Sequence, residues 1–153
     1  MYPLWTGKPA ILAIVPLDLR SLFSGNYIHL DYDITNLDER VIDGTLNLRT
    51  GAVVYVHLTE HSGVFRAQYV TAKAPEKGPF IRGRVRHFYR EDQIISLSIH
   101  YGIEAYFFPK EKALAIEEKF RDGQQDDSAL AYAQVRIASS GKAALENIIW
   151  ELP

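Results

Sequence analysis

The chain contains no cysteine. That absence removes disulfides, thiolate catalysis and cysteine-ligated zinc together, and it leaves the redox compartment open. Long hydrophobic runs are missing as well. The longest uncharged stretch near the N-terminus, residues 9–17, includes Pro9 and Pro16 and falls well short of the roughly 20 apolar residues of a spanning helix. Neither sign of charge is in excess: 17 Lys and Arg against 19 Asp and Glu give a net charge of -2. Such a balance supplies no global field for nucleic acid or acidic lipid, so either contact would need a local patch. No repeat or low-complexity tract is present. What remains is an ordinary globular composition, 47% hydrophobic and 24% charged, enough to bury one core in a single domain over residues 1–153.

Periodicity predicts strands along most of the chain. Residues 10–15 are apolar throughout, lie between Pro9 and Pro16, and have strand rather than helix length. Residues 18–26 break that pattern and end in Ser24-Gly25-Asn26, a turn in which Gly25 or Asn26 takes positive φ. From Tyr27 the sequence alternates, with Ile28, Leu30, Tyr32 and Ile34 on one side and Tyr27, His29, Asp31 and Asp33 on the other. Residues 35–51 read as a loop with a short strand at 45–48. Residues 53–58 and 64–72 read as a hairpin turning at 60–63, and 80–88 and 95–101 as two more amphipathic strands about Arg90-Glu91-Asp92.

Residues 110–122 carry Ala113, Ile116 and Phe120 on one helical face, with Pro109 before them and Gly123 after. Residues 131–138 and 143–152 form a terminal hairpin that places Trp150 on the core. The fold class expected is mainly β, an antiparallel barrel or sandwich of about eight strands with one covering α-helix.

The most distinctive stretch is residues 16–34. Pro16, Asp18, Arg20 and Leu22 are followed by Gly25, Tyr27, Leu30 and Tyr32. This resembles the signature of the bacterial GDYXXLXY family, Pro-x-Asp-x-Arg-x-Leu and then Gly-Asp-Tyr-x-x-Leu-x-Tyr. Asn26 stands where the family has Asp. Tyr101-Gly102-Ile103-Glu104-Ala105-Tyr106-Phe107-Phe108-Pro109 is a second family-like segment. The resemblance implies the extracytoplasmic domain of a membrane-associated protein with no established activity. It also implies a hydrophobic N-terminal anchor ahead of the segment corresponding to residues 7–16, so the expectation is a sequence trimmed of that anchor or a naturally soluble member.

The residues singled out as a ligand site or a structural network are Asp18, Arg20, Asn26, Tyr27, Tyr32, Arg82, Arg84, Tyr101, Glu104 and Tyr106. Carboxylate, guanidinium and tyrosine hydroxyls grouped at the top of a sheet either line a cleft or fix the connection between the first two strands. Asn26 keeps the shape and acceptor oxygen of Asp without its charge, which suits a turn former better than a base or a cation ligand.

Three other chemistries have partial signals in the sequence. His57-Leu58-Thr59-Glu60-His61 spells an inverted-zincin motif, but that chemistry requires a helix. On a strand the histidines stand roughly 13 Å apart at about 3.3 Å per residue, too far for one metal. Arg82, Arg84, Arg86 and Arg90, interleaved with Phe80, Phe88 and Tyr89, have the composition of a strand-borne nucleic-acid surface but read better as a solvated face or one paired with carboxylates such as Asp31, Asp33, Glu91 and Asp92, with the headgroups of an adjacent bilayer the next alternative. A peptidase-like nucleophile is not supported, because the position corresponding to the catalytic serine of signal peptidases is Leu17. The expected function is therefore a non-catalytic interaction domain whose partner is an unknown protein or envelope component. No nucleic acid, metal or cofactor is implied. The alternative is a small-ligand- or peptide-binding, hydrolase-like protein using Arg20, Glu104, Tyr27 and Tyr106.

Overall fold

The computed structural model describes residues 7–18, 27–121 and 128–153. Within them the strands are β1 (Lys8–Asp18), β2 (Tyr27–His29), β3 (Asn36–Asp38), β4 (Val53–His61), β5 (Val64–Thr71), β6 (Phe80–Glu91), β7 (Ile94–His100), β8 (Ala105–Phe107), β9 (Ser128–Ile137) and β10 (Ala143–Ile149), and the helix is α1 (Lys110–Arg121). Eight strands form one sheet in the order β10-β9-β1-β5-β4-β6-β7-β3, while β2 and β8 make a separate ribbon. The protein is mainly β, as its alternation predicts. The large sheet curls into a half-barrel instead of closing into a barrel or stacking as a sandwich.

Local chemistry accounts for most of the pairing. Val54, Val56 and Leu58 of β4 alternate inward with Ile81 and Val85 of β6, and all are buried, as period-two patterning over a single core requires. The β4–β5 hairpin turns on Ser62 and Gly63, whose φ values of 53° and 86° are the pair a two-residue turn of the I′ kind demands. Residues 45–48 are not a strand. Asp43 accepts bonds from the Thr45 amide and hydroxyl, both at 2.9 Å, and this local turn competes with ladder formation. The strand of that region lies earlier, at β3, where Leu37 sits opposite Leu97 of β7.

Helix α1 starts after Pro109, whose carbonyl accepts from the Ala113 amide at 2.9 Å, and Ala113 is fully buried.

Strand β1 lies at a seam. It pairs with β9 along nearly its whole length, but with β5 only at Leu12 and Phe65, and there in parallel. Farther along the same edge, residues 31–33 bond to β1 instead: the Val15 amide donates to the Asp31 carbonyl at 2.8 Å and the Asp33 amide to the Ala13 carbonyl at 2.9 Å. On the opposite side of the curl, the turn between β9 and β10 reaches β6, where the Gly141 carbonyl accepts from the Arg82 amide at 2.9 Å.

Candidate functional site

The two family-like segments lie against each other. At one end β2 pairs with β8, Tyr27 opposite Phe107; at the other β3 pairs with β7, Asn36 opposite Ser98. Between them the ladder is interrupted because residues 31–33 turn aside to pair with β1. Side chains bridge the gap. The Tyr32 hydroxyl donates to the Ile103 carbonyl at 2.5 Å, and the Tyr101 hydroxyl donates to the Ile34 carbonyl at 2.5 Å. Thr35, fully buried, completes the crossing: its Oγ1 accepts from the Tyr32 amide at 2.8 Å and its carbonyl from the Ile99 amide at 2.9 Å.

Glu104 sits beneath this crossing with only 3% of its surface exposed. Its Oε2 accepts from the Tyr101 amide and its Oε1 from the Gly102 amide, both at 2.8 Å. Gly102 has φ of 89°, the left-handed conformation that lets two successive amides face one carboxylate. His100, about half exposed, places Nδ1 3.1 Å from Glu104 Oε1. Amide donors and one imidazole satisfy a charge that would otherwise be costly to bury. Burial, and then the charge of Glu104, hold the hydroxyls of Tyr32 and Tyr101 well above the ordinary tyrosine range, so both are donors and neither serves as a base near neutral pH.

The remaining nominated residues are spread more widely. Tyr27 is 74% exposed and packs on Phe107 with ring centroids 5.1 Å apart. Tyr106 is half-buried, edge-on to Phe108, with its hydroxyl 3.5 Å from Lys112 Nζ. Arg84 donates from Nη1 to the Gly51 carbonyl at 3.0 Å, and Arg82 lies opposite Tyr55; neither joins Glu104. Asp18 ends β1 with its Cα opposite that of Ser128. The pattern break expected from residue 18 begins one residue later, since Asp18 is still strand, and Arg20 and Asn26, with the rest of the turn expected there, lie outside the described residues. Sequence reasoning passed over Thr35 and His100. A lone threonine closing an apolar alternation, and a histidine four residues before a glutamate, were the available signals.

The zincin-like motif lies in β4, an extended strand. His57 Nε2 is 2.9 Å from Thr71 Oγ1, and its ring stacks on Tyr69 at 4.0 Å, with burial lowering its basicity. Among the described residues no group of three or more His, Asp or Glu side chains is placed to hold a metal ion.

Comparison with known families bears on the two segments just described. The family model described as GDYXXLXY protein matches residues 1–148. The chain belongs to the GDYXXLXY family. Within that signature, Leu30 and Tyr32 are core residues while Tyr27 stands at the surface, so its members are held at different depths of the fold. Searches of curated proteins and of solved structures find no match.

Proposed function

We propose that this GDYXXLXY domain is a non-catalytic interaction module, the extracytoplasmic part of a membrane-associated protein. One observation carries the reading: among the described residues, the buried titratable groups of the two family segments, Tyr32, Tyr101 and Glu104, are directed at backbone groups in the interior, with His100 the one side-chain partner of Glu104. Groups so engaged hold a chain crossing in place, with their hydroxyl protons and carboxylate oxygens committed to it. The family's surface contribution is instead the ribbon of β2 and β8, which presents Tyr27 and Phe107 side by side. Exposed aromatic pairs on a rigid support are favourable anchors for a partner. In this reading α1, seated through Ala113, serves as the cover of the half-barrel. The membrane association rests on the family resemblance; among the described residues no helix is long and apolar enough to cross a membrane.

The alternative, a hydrolase-like ligand-binding protein, has less support. Two cavities of about 580 and 480 Å³ flank the seam between β1 and β5, and Tyr27, Glu104 and Tyr106 line neither. The test is a photo-cross-linking residue at position 27 in cells producing the protein. A discrete adduct that disappears with Phe107→Ser is expected. Turnover of an ester or peptide substrate that Glu104→Gln abolishes without unfolding the protein would overturn the reading.

A further inference from the structure

The outer face of β4, β6 and β7 carries a row of arginine and histidine side chains. Tyr55 lies opposite Arg82 and Val53 opposite Arg84 across β4 and β6; Arg84 lies opposite His100 and His87 opposite Ser98 across β6 and β7. Arg84, His87 and His100 are exposed, and Arg82 and Arg86 partly so. Of the four carboxylates expected to neutralise this row, three are engaged elsewhere, Asp31 with His29, Asp33 with Arg66 and Glu91 with the Tyr89 hydroxyl, and Asp92 lies in the turn between β6 and β7. Glu104, the acid that does touch the row through His100, is buried and shared with two amides. Among the described residues Arg82, Arg84 and Arg86 form no ion pair. A chain of net charge -2 thus concentrates unneutralised positive charge on one sheet face, which is the electrostatic mark of an anionic partner.

The geometry narrows the class of that partner. Same-face residues on one strand stand about 6.6 Å apart, so Arg82 and Arg84 match carboxylates at alternate positions of an extended chain. The aromatic rings beside Arg82 are turned to each other: Tyr55 meets Phe80 edge-on at 5.8 Å, and His57 stacks on Tyr69, while Tyr89, near the far end of β6, is exposed. Rings so occupied are poor platforms for the bases of a single-stranded nucleic acid, which need open faces. A planar bilayer fits the outside of a curled sheet less well than a narrow extended segment does.

We propose that the face centred on Arg82 and Arg84 docks an acidic, extended segment of a partner protein, whose alternate carboxylates bond to Arg82 and to Arg84. The inference rests on the reading of the chain as an interaction module and names the chemistry of its partner.

The probe is a fluorescein-labelled synthetic peptide of alternating Asp and Ser, compared with oligothymidylate and with phosphatidylglycerol vesicles. The peptide is expected to bind more weakly as salt rises. Arg82→Ala and Arg84→Ala are each expected to lose about tenfold in affinity, while Lys110→Ala, the same charge change away from this face, binds as the parent does. Both arginine variants should keep the parent's melting temperature, so that lost binding is not lost folding. Absence of peptide binding, or binding indifferent to both arginines, overturns the proposal. So does equal or tighter binding of oligothymidylate or vesicles through the same arginines. If the peptide fails while the position 27 adduct persists, this inference falls alone. Glu104-dependent turnover removes the interaction reading itself.

Discussion

Tyr32 and Tyr101 cross the same gap in opposite directions. The first donates its hydroxyl to the carbonyl of Ile103, two residues beyond the second, and the second donates to the carbonyl of Ile34, two residues beyond the first. Two reciprocal side-chain bonds thereby replace the ladder bonds lost where residues 31–33 leave to pair with β1. Tyr32→Phe and Tyr101→Phe each leave one carbonyl unmatched and are expected to cost about 1–1.5 kcal/mol. Because both ties hold one crossing, the second is worth less once the first is gone. The double variant should fall short of the sum by at least about 0.5 kcal/mol in urea unfolding. Strict additivity would mean that the two bonds act independently.

Glu104 holds its local turn by a different device, a carboxylate beneath two amides. Glu104→Ala strands both amides in the interior and is expected to cost about 3–5 kcal/mol, a fall of roughly 10 °C in melting temperature for a domain of this size. His100→Ala removes only a half-exposed partner and should cost about 1 kcal/mol or less. Comparable losses in the two variants would show that the ion pair, not the amide cap, is the stabilising contact.

Alkaline pH tests the same crossing. Tyr32 and Tyr101 keep their protons in the folded protein well above the usual tyrosine range, whereas the unfolded chain releases them near pH 10. A raised folded value means that their stabilisation is complete below about pH 10 and is lost as pH rises beyond it, by about 1.4 kcal/mol per pH unit for each group. Urea midpoints should therefore fall steeply above pH 10. The variant with both tyrosines replaced by Phe should fall less steeply. Absorbance of tyrosinate should show these two hydroxyls titrating only with unfolding; early titration of all nine tyrosines would contradict the burial.

The depth of most residues was legible because alternation marks the buried side: Ile28, Leu30, Tyr32 and Ile34 are all buried, as their spacing requires, although only Tyr27–His29 of the strand expected there is strand, the rest turning aside to β1. The closure was not legible. Whether a sheet of this length closes, stacks or stays a half-barrel depends on contacts between distant strands, such as the Gly141 carbonyl on the Arg82 amide, which leave no local periodicity. The candidate site was legible by composition only. Tyr32, Tyr101 and Glu104 do meet, but their partners are backbone groups, which every residue carries and no motif announces. Arg82 and Arg84 were grouped with them by residue type, and pairing across β4 and β7 sets them on the outer face.

Gly83 makes a packing prediction with an internal control. A Cβ built there would lie 2.4 Å from Ile99 Cγ2 and 3.0 Å from Tyr101 Cδ1, so the strand comes close to the Tyr101 ring only because position 83 has no side chain. Gly83→Ala is expected to push that ring off its line to the Ile34 carbonyl and to cost roughly 1–3 kcal/mol. Gly44→Ala, with nothing within 4 Å of the new methyl, should be neutral or slightly stabilising. In the Tyr101→Phe background the Gly83→Ala penalty should shrink, because the hydrogen bond it disturbs is already gone. An unchanged penalty would assign the cost to Ile99 instead, and would separate the core beneath β6 from the tyrosine crossing that joins the two family segments.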